Sequence, residues 1–329
     1  MIHILIMGPN LVEIKVISKG LNKHMTLEEL GTVATFLGND ISIKDKTLII
    51  HQTRYTEKLL AKYNIYNSKE YRPAKIPGAP GAKLLKNTAQ ATVSRISQYQ
   101  KEVGSLLYLA LKTRPDITHA VIYCSRFMSN PASCHFDELA KVWKYLLYYP
   151  NLGLKYSCSG DLRLKGYTDS DWANDPNSRR STSGYTFSVS GSDGINNCIS
   201  WTSQLQKTVA LSSCEAEYMA LRDAIKESLY LDSCFTMLNK RLKLQYPTEI
   251  PKLLIDNHAA KKLAENPEFH KRSKHIDIIF HWTRQQVDRK KVRLLTVPTI
   301  DNLADMMTKN LNVPLHQNMV ALANMIKTT

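Results

Sequence analysis

Leu164-Lys-Gly-Tyr-Thr-Asp-Ser-Asp-Trp-Ala173 is the stretch on which the reading of the fold turns. Residues 162–168 read as a strand, and Asp169 closes it. A second strand is expected at Gly184–Ser190, with turn-rich residues between the two. An acid at a strand end is positioned to bind a cation. Asp171 and Asp175 follow closely, so spacing alone does not choose among the three. The turn after Asp169 is expected to leave Asp171 and Asp175 exposed.

Three more acids stand in comparable places. Glu217 lies in Ala210-Leu-Ser-Ser-Cys-Glu-Ala-Glu-Tyr-Met-Ala220, which reads as a helix start. Asp256 closes the apolar run Leu253-Leu-Ile-Asp256, and Asp305 falls in Asp301-Asn-Leu-Ala-Asp-Met-Met307. A buried unpaired carboxylate is costly, so Asp256 calls for a metal or a helix N-terminus. Glu215 and Glu217 are two apart on a helix and cannot share a face; Glu215 is expected to complement the helix dipole and Glu217 to point inward. Hard divalent cations need oxygen ligands, and two of them can clamp a phosphodiester during in-line hydrolysis.

Outward from this core the pattern stays mixed. Strands are expected at Cys198–Trp201, Thr208–Leu211, residues 252–256 and Val292–Thr296, and helices at 214–238, 258–265, 276–287 and 301–309. That alternation describes an α/β domain with a mixed central sheet. Upstream, residues 2–7 read as a strand and 11–23 as a helix. Residues 36–51 read as a hairpin turning near Lys44–Lys46, followed by a helix capped by Thr53. Pro73, Pro77, Gly78, Pro80 and Gly81 break regular structure, and helices are expected at 97–111, 116–128 and 135–148. The boundary between the two textures falls near residue 157.

The chain has 329 residues, enough for two domains, and is 43% hydrophobic and 22% charged. Its net charge is +15. Residues 1–158 hold 21 Lys/Arg against 11 Asp/Glu, and residues 159–329 hold 23 against 18. A spread excess of this kind suits a surface that tracks a polyanion, nucleic acid first. Arg179, Arg180, Lys207, Lys271, Arg272 and Lys274 are candidates for backbone phosphate contact. Trp172, Trp201 and Trp282 could stack on nucleotides, with core packing the default. Six scattered cysteines without a C-x-x-C pair read as reduced, mostly buried thiols of an intracellular protein. His258, His270, His275 and His281 lack the paired spacing of a structural zinc site. No apolar run is long enough to span a membrane, and the first eight residues lack the features of a signal peptide.

Several blocks in fixed order carry a resemblance. Lys165–Ala173, Arg180-Ser-Thr-Ser-Gly-Tyr185, Ile199-Ser-Trp201, Gln206–Ser213, Glu215–Ala220, Lys271–Asp277 and Leu303–Lys309 resemble the ribonuclease H domain of copia-type retrotransposon polyproteins. Val103–Tyr108, Thr113–Ile117 and Ser125–Pro131 resemble their connection region. Leu27–Ile43 and Thr53–Tyr66 resemble the segment after the polymerase palm, thumb included.

The resemblance implies a ribonuclease H-like domain at 158–329, a five-stranded mixed sheet flanked by helices. A linker and connection region at 76–157 and a palm and thumb remnant at 1–75 would precede it. It implies cleavage of RNA in an RNA–DNA hybrid, with two Mg²⁺ (or Mn²⁺) ions held by Asp169, Glu217, Asp256 and Asp305. In this expectation Asp169 bridges both ions, Glu217 and Asp256 complete one coordination sphere, and Asp305 holds the other. No histidine occurs between His281 and Asp305 to serve as proton shuttle. The expected partners are the hybrid and a full-length Pol chain, in cytoplasmic virus-like particles or the nucleus. The family's polymerase carries a Tyr-Val-Asp-Asp turn before a strand like Ile4-Leu-Ile-Met7, and Ile2 and His3 stand in its place here. The chain is therefore expected not to polymerise DNA. The competing reading is a non-catalytic, nucleic-acid-binding remnant of a decayed element.

Overall fold

The computed structural model describes residues 4–8, 10–45, 47–67, 71–157, 163–191, 194–243, 249–265 and 274–328, with side chains of the 274–280 stretch excepted. Ile2 and His3, Lys271, Arg272 and His270, and the side chains of Lys274 and His275, lie outside this description.

Residues 4–8 are irregular rather than a strand. Helix α1 (Leu11–Asn22) starts where the Asn10 side chain accepts the Glu13 N–H. Strands β1 (Thr35–Phe36), β2 (Asn39–Lys44) and β3 (Thr47–His51) follow, and the Lys44↔Thr47 register sets the expected hairpin turn. In α2 (Thr53–Lys62) Gln52 is the N-cap and makes no side-chain cap bond, so Thr53 is the first helical residue and not the cap. Helices α3 (Val93–Ala110), α4 (Thr118–Ser125) and α5 (Ser133–Tyr148) bury a shared core of Tyr99, Leu106, Val121, Trp143 and Leu146. At its centre Arg114 grips Asp116 at 2.8 Å, and the Tyr145 hydroxyl donates to the same carboxylate.

Strand β4 (Leu152–Ser157) ends this region. The second half holds β5 (Arg163–Asp171), β6 (Thr182–Ser190), β7 (Asn196–Leu205), α6 (Ser213–Leu242), β8 (Lys252–Ile255), α7 (His258–Glu265), α8 (Lys274–Asp288) and β9 (Arg293–Thr296). It closes with α9 (Asp305–Thr308), α10 (Val313–Leu322) and β10 (Met325–Lys327). Residues 208–211, expected as a strand, lead instead into α6; Ser212 caps that helix and the Glu215 carboxylate takes the Leu211 N–H.

Two sheets result. One runs β7-β6-β5-β8-β9, antiparallel across β7, β6 and β5 and parallel across β5, β8 and β9. This is the mixed five-stranded sheet of the expected fold class. The other runs β1-β2-β3-β4-β10, so the C-terminal strand returns to pair with β4.

The first sheet buries apolar side chains on both faces. Leu164, Phe187, Leu253 and Ile255 pack with Tyr218, Leu221 and Ile225 of α6. Tyr167 and Leu254 pack on the opposite face with Leu303, Met306 and Met307. Period-two alternation explains the split: neighbours in a strand point to opposite faces. A parallel strand covered on both sides reads as a continuous apolar run, as Leu253-Leu-Ile255 does.

Candidate functional site

The register of β5 and β8 sets the site. Tyr167 pairs with Leu254 in a parallel ladder, and Asp169 and Asp256 each lie two residues further on. Both acids therefore stand side by side just past the β5–β8 pairing, although β5 itself runs on to Asp171, at an edge where α/β sheets commonly place ligands. Asp256 does not cap α7: the Asn257 side chain accepts the Ala260 N–H and takes that role. Asp256 is left to face the site.

The third acid arrives from the other end of the chain. Gly184 pairs with Asp169 across β5 and β6, and a Cβ on Gly184 would meet Met307 Cβ at 2.5 Å. Only a residue without a side chain lets α9 approach the sheet this closely. Asn302 fixes the approach by donating from Nδ2 to Thr168 O at 3.2 Å. In consequence Asp169, Asp256 and Asp305 each present a carboxylate oxygen within 4.8 Å of the others.

Glu217 stands beside this group rather than within it. Its Oε1 accepts the Ser170 N–H at 3.3 Å. Burial pushes its carboxyl up to about 9, and the charges of Asp169 and Asp256 add to the effect. Asp305 is pushed up to about 7, by burial first and by Asp169 next, with Lys309 pulling the other way. Asp169 is also raised by burial, against the Lys309 ammonium and the Thr308 hydroxyl, which donates to its Oδ2. Asp169 and Asp305 are 3% and 1% exposed, so little water screens their repulsion. Asp305 Oδ1 is buried with no hydrogen-bond partner. Crowded, buried carboxylates with an unserved oxygen suit a hard divalent cation, which supplies the missing charge and accepts oxygen ligands.

Several expectations are corrected here. Asp175 is buried, not on an exposed turn; the Ser178 hydroxyl donates to it and Arg126 lies 3.6 Å away. Asp171 ends β5 half-buried, its pKa raised by burial and lowered in part by Asn174. As expected, Glu215 lies in the first turn of α6 and Glu217 points inward to β5; Glu215 is buried as well, because its carboxylate folds back onto the Leu211 N–H. Trp172 is not core: it is 47% exposed, its Nε1 donating to Ala210 O. Trp201 donates to Ala110 O, and Trp282 packs against the α6 core.

Arg179 and Lys207 are exposed, and Arg180 is half-buried against Ser178. The sequence reading missed Thr308 and Lys309. Lys309 Nζ lies 3.0 Å from Asp305 Oδ2 and 3.8 Å from Asp169 Oδ2. Burial works to lower its pKa, yet Asp169 and Asp305 outweigh it and the ammonium is held charged. The signal was present, since Lys309 follows Asp305 by four residues, the spacing at which helical side chains meet. No helix among the described residues is long and apolar enough to cross a membrane.

Comparison with known proteins places relatives along nearly the whole chain. It is 36% identical over 313 residues to the retrovirus-related Pol polyprotein from transposon TNT 1-94 of Nicotiana tabacum, covering 93% of this chain and 22% of the relative. It is 35% identical over 324 residues to the corresponding polyprotein from transposon RE2 of Arabidopsis thaliana, covering 98% and 21%. The chain thus spans about a fifth of the length of these relatives. No family model matches. Among solved structures, ribonuclease H1 from the archaeon Halobacterium salinarum aligns at 15% identity and a TM-score of 0.29, covering 44% of this chain and 94% of that one; a likeness so distant has no bearing on the site.

Proposed function

The chain belongs to the Pol polyprotein family of copia-type retrotransposons, and on that premise we propose that it hydrolyses the RNA strand of RNA–DNA hybrids at the acid cluster. The convergence of Asp169, Asp256 and Asp305 at the strand ends, with Glu217 alongside, is the observation that carries this reading. These four residues would hold two divalent cations, Mg²⁺ or Mn²⁺. Bound there, such ions supply an activated water and neutralise charge at the leaving oxygen.

The protein's own groups do the rest. Thr308 and the Ser170 N–H hold the Asp169 and Glu217 carboxylates in place. Arg179 and Lys207 offer positive charge for the sugar–phosphate backbone, and the exposed Trp172 ring offers a stacking surface. Recognition through the 2′-hydroxyl and duplex shape would select RNA without reading sequence.

The test is cleavage of a labelled hybrid with Mg²⁺, comparing the chain with Asp256→Asn. Loss of cleavage in the variant supports the assignment, and equal cleavage by both proteins sinks it. Hybrid binding by the unsubstituted chain without cleavage would favour the non-catalytic remnant instead.

A further inference from the structure

We propose that Lys309 is the built-in counter-cation of the acid cluster: it holds the carboxylates together when no divalent ion is bound and gives up its place when one binds. This rests on the reading of the cluster as a metal site and extends it to a residue outside the acid set.

The ammonium stands among candidate ligand oxygens. Nζ is 3.0 Å from Asp305 Oδ2 and 3.8 Å from Asp169 Oδ2, and both acids belong to the group whose oxygens converge within 4.8 Å. Among the described residues its ion pairs are with Asp305 and Asp169, both acids of this group. Asp305 keeps its other oxygen, Oδ1, buried and unserved, so the ammonium satisfies the site only in part.

Charge and geometry favour an exchange. One positive charge faces Asp169, Asp256 and Asp305, with Glu217 close by, and leaves the cluster short of neutrality. A divalent ion brings twice the charge and accepts direct oxygen ligation. The acids are fixed by strand ends and by α9, but Lys309 is not. Its side chain is 36% exposed, and its backbone lies just past α9 in an extended conformation. A flexible four-carbon stem lets a lysine swing into solvent at little cost.

Competition of this kind has a readout independent of cleavage. Mn²⁺ titrations of the full chain, followed by electron paramagnetic resonance of free Mn²⁺, compare the natural sequence with Lys309→Met, Lys309→Arg and Asp256→Asn. Removing a unit charge a few ångströms from the ligands should tighten Mn²⁺ binding in Lys309→Met by about tenfold or more. Lys309→Arg should bind as the natural chain does. Without metal, Lys309→Met should melt at a lower temperature, and saturating Mn²⁺ should close the gap. If Lys309→Met proves unable to fold, Lys309→Gln carries the same expectation. Mn²⁺ affinity equal to or weaker than that of the natural chain in a folded Lys309 variant overturns the proposal while leaving the metal site intact. Equal Mn²⁺ affinity in Asp256→Asn has a different signature: it removes the cluster as the metal site, and the hydrolase reading with it.

Discussion

Gly184 sits directly opposite Asp169 in the β5–β6 ladder. The missing side chain makes room for Met307, and so for the short helix that brings Asp305 to the site. The geometry of the acid cluster therefore depends on a residue that carries no chemistry. Gly184→Ala should force α9 outward, because the clash is with a backbone-proximal Cβ and not a flexible tip. A loss of about 1–3 kcal/mol in stability is expected, as for other overpacked sites, together with weaker Mn²⁺ binding. Thermal melts and metal titration of the folded variant check both.

The raised carboxyls of Glu217 and Asp305 tie metal binding to protons. A folded-state pKa of about 9 for Glu217, above that of an unfolded glutamate, means that the metal-free fold is favoured at low pH and loses that contribution as pH rises towards 9. Asp305, at about 7, contributes in the same sense at lower pH. Metal must displace these protons, so affinity should strengthen as pH rises from 6 towards 9, on the order of tenfold per proton released per pH unit. Calorimetry in buffers of different ionisation enthalpy measures the released protons directly. A pH-independent affinity would contradict the expectation.

Burial, helped by Arg126, pushes His119 down to about 3. Its neutral form is favoured in the fold, so its contribution is complete above the ordinary histidine range and is lost as pH falls from about 6.5 towards 3, at up to about 1.4 kcal/mol per pH unit. His119→Gln should flatten the fall in stability between pH 7 and pH 5. Denaturant melts at the two pH values test this, and an unchanged slope would exclude His119 as the source.

The buried Arg114–Asp116 pair anchors the helical half, with Tyr145 donating to the same carboxylate. Asp116→Ala strands a guanidinium that is fully buried. It should cost about 3–5 kcal/mol, far more than loss of an exposed pair such as Lys252–Glu249. Chemical denaturation of the two alanine variants, Asp116→Ala and Glu249→Ala, gives the comparison.

The sequence made the mixed sheet legible because Leu253-Leu-Ile255 and Leu164–Thr168 carry strong strand patterns, and it located Asp169 and Asp256 just after these runs and Glu217 and Asp305 in the helices that meet them. It failed where long-range contacts decide. Strand β10 pairs with β4 across about half of the chain, and three residues of Met325–Lys327 carry no periodicity that could announce it. Residues 208–211 look apolar enough for a strand, but the Ser212 cap and the Glu215 carboxylate draw the segment into a helix start. The division between Glu215 and Glu217 was legible: Glu215 sits in the first turn of α6 and Glu217 reaches β5. Helical spacing separates their faces, yet a side chain folding back onto Leu211 buries Glu215 without using a face at all. Trp172 was misjudged because composition favours burial of tryptophan, while the strand ends one residue earlier and leaves its ring at the rim. Lys309 went unnoticed because a lysine after an acidic helix turn usually means an ordinary surface pair.

The central claim is strand-specific hydrolysis at the acid cluster. Its most direct test incubates the chain with Mg²⁺ and two end-labelled duplexes of one sequence, an RNA–DNA hybrid and its all-DNA counterpart, beside Asp256→Asn. The account predicts cuts in the RNA strand alone, an intact DNA strand and an intact all-DNA duplex, with the RNA cuts reduced on the order of a hundredfold or more in the variant. Undiminished cutting by Asp256→Asn, or equal cutting of both duplexes, would contradict it.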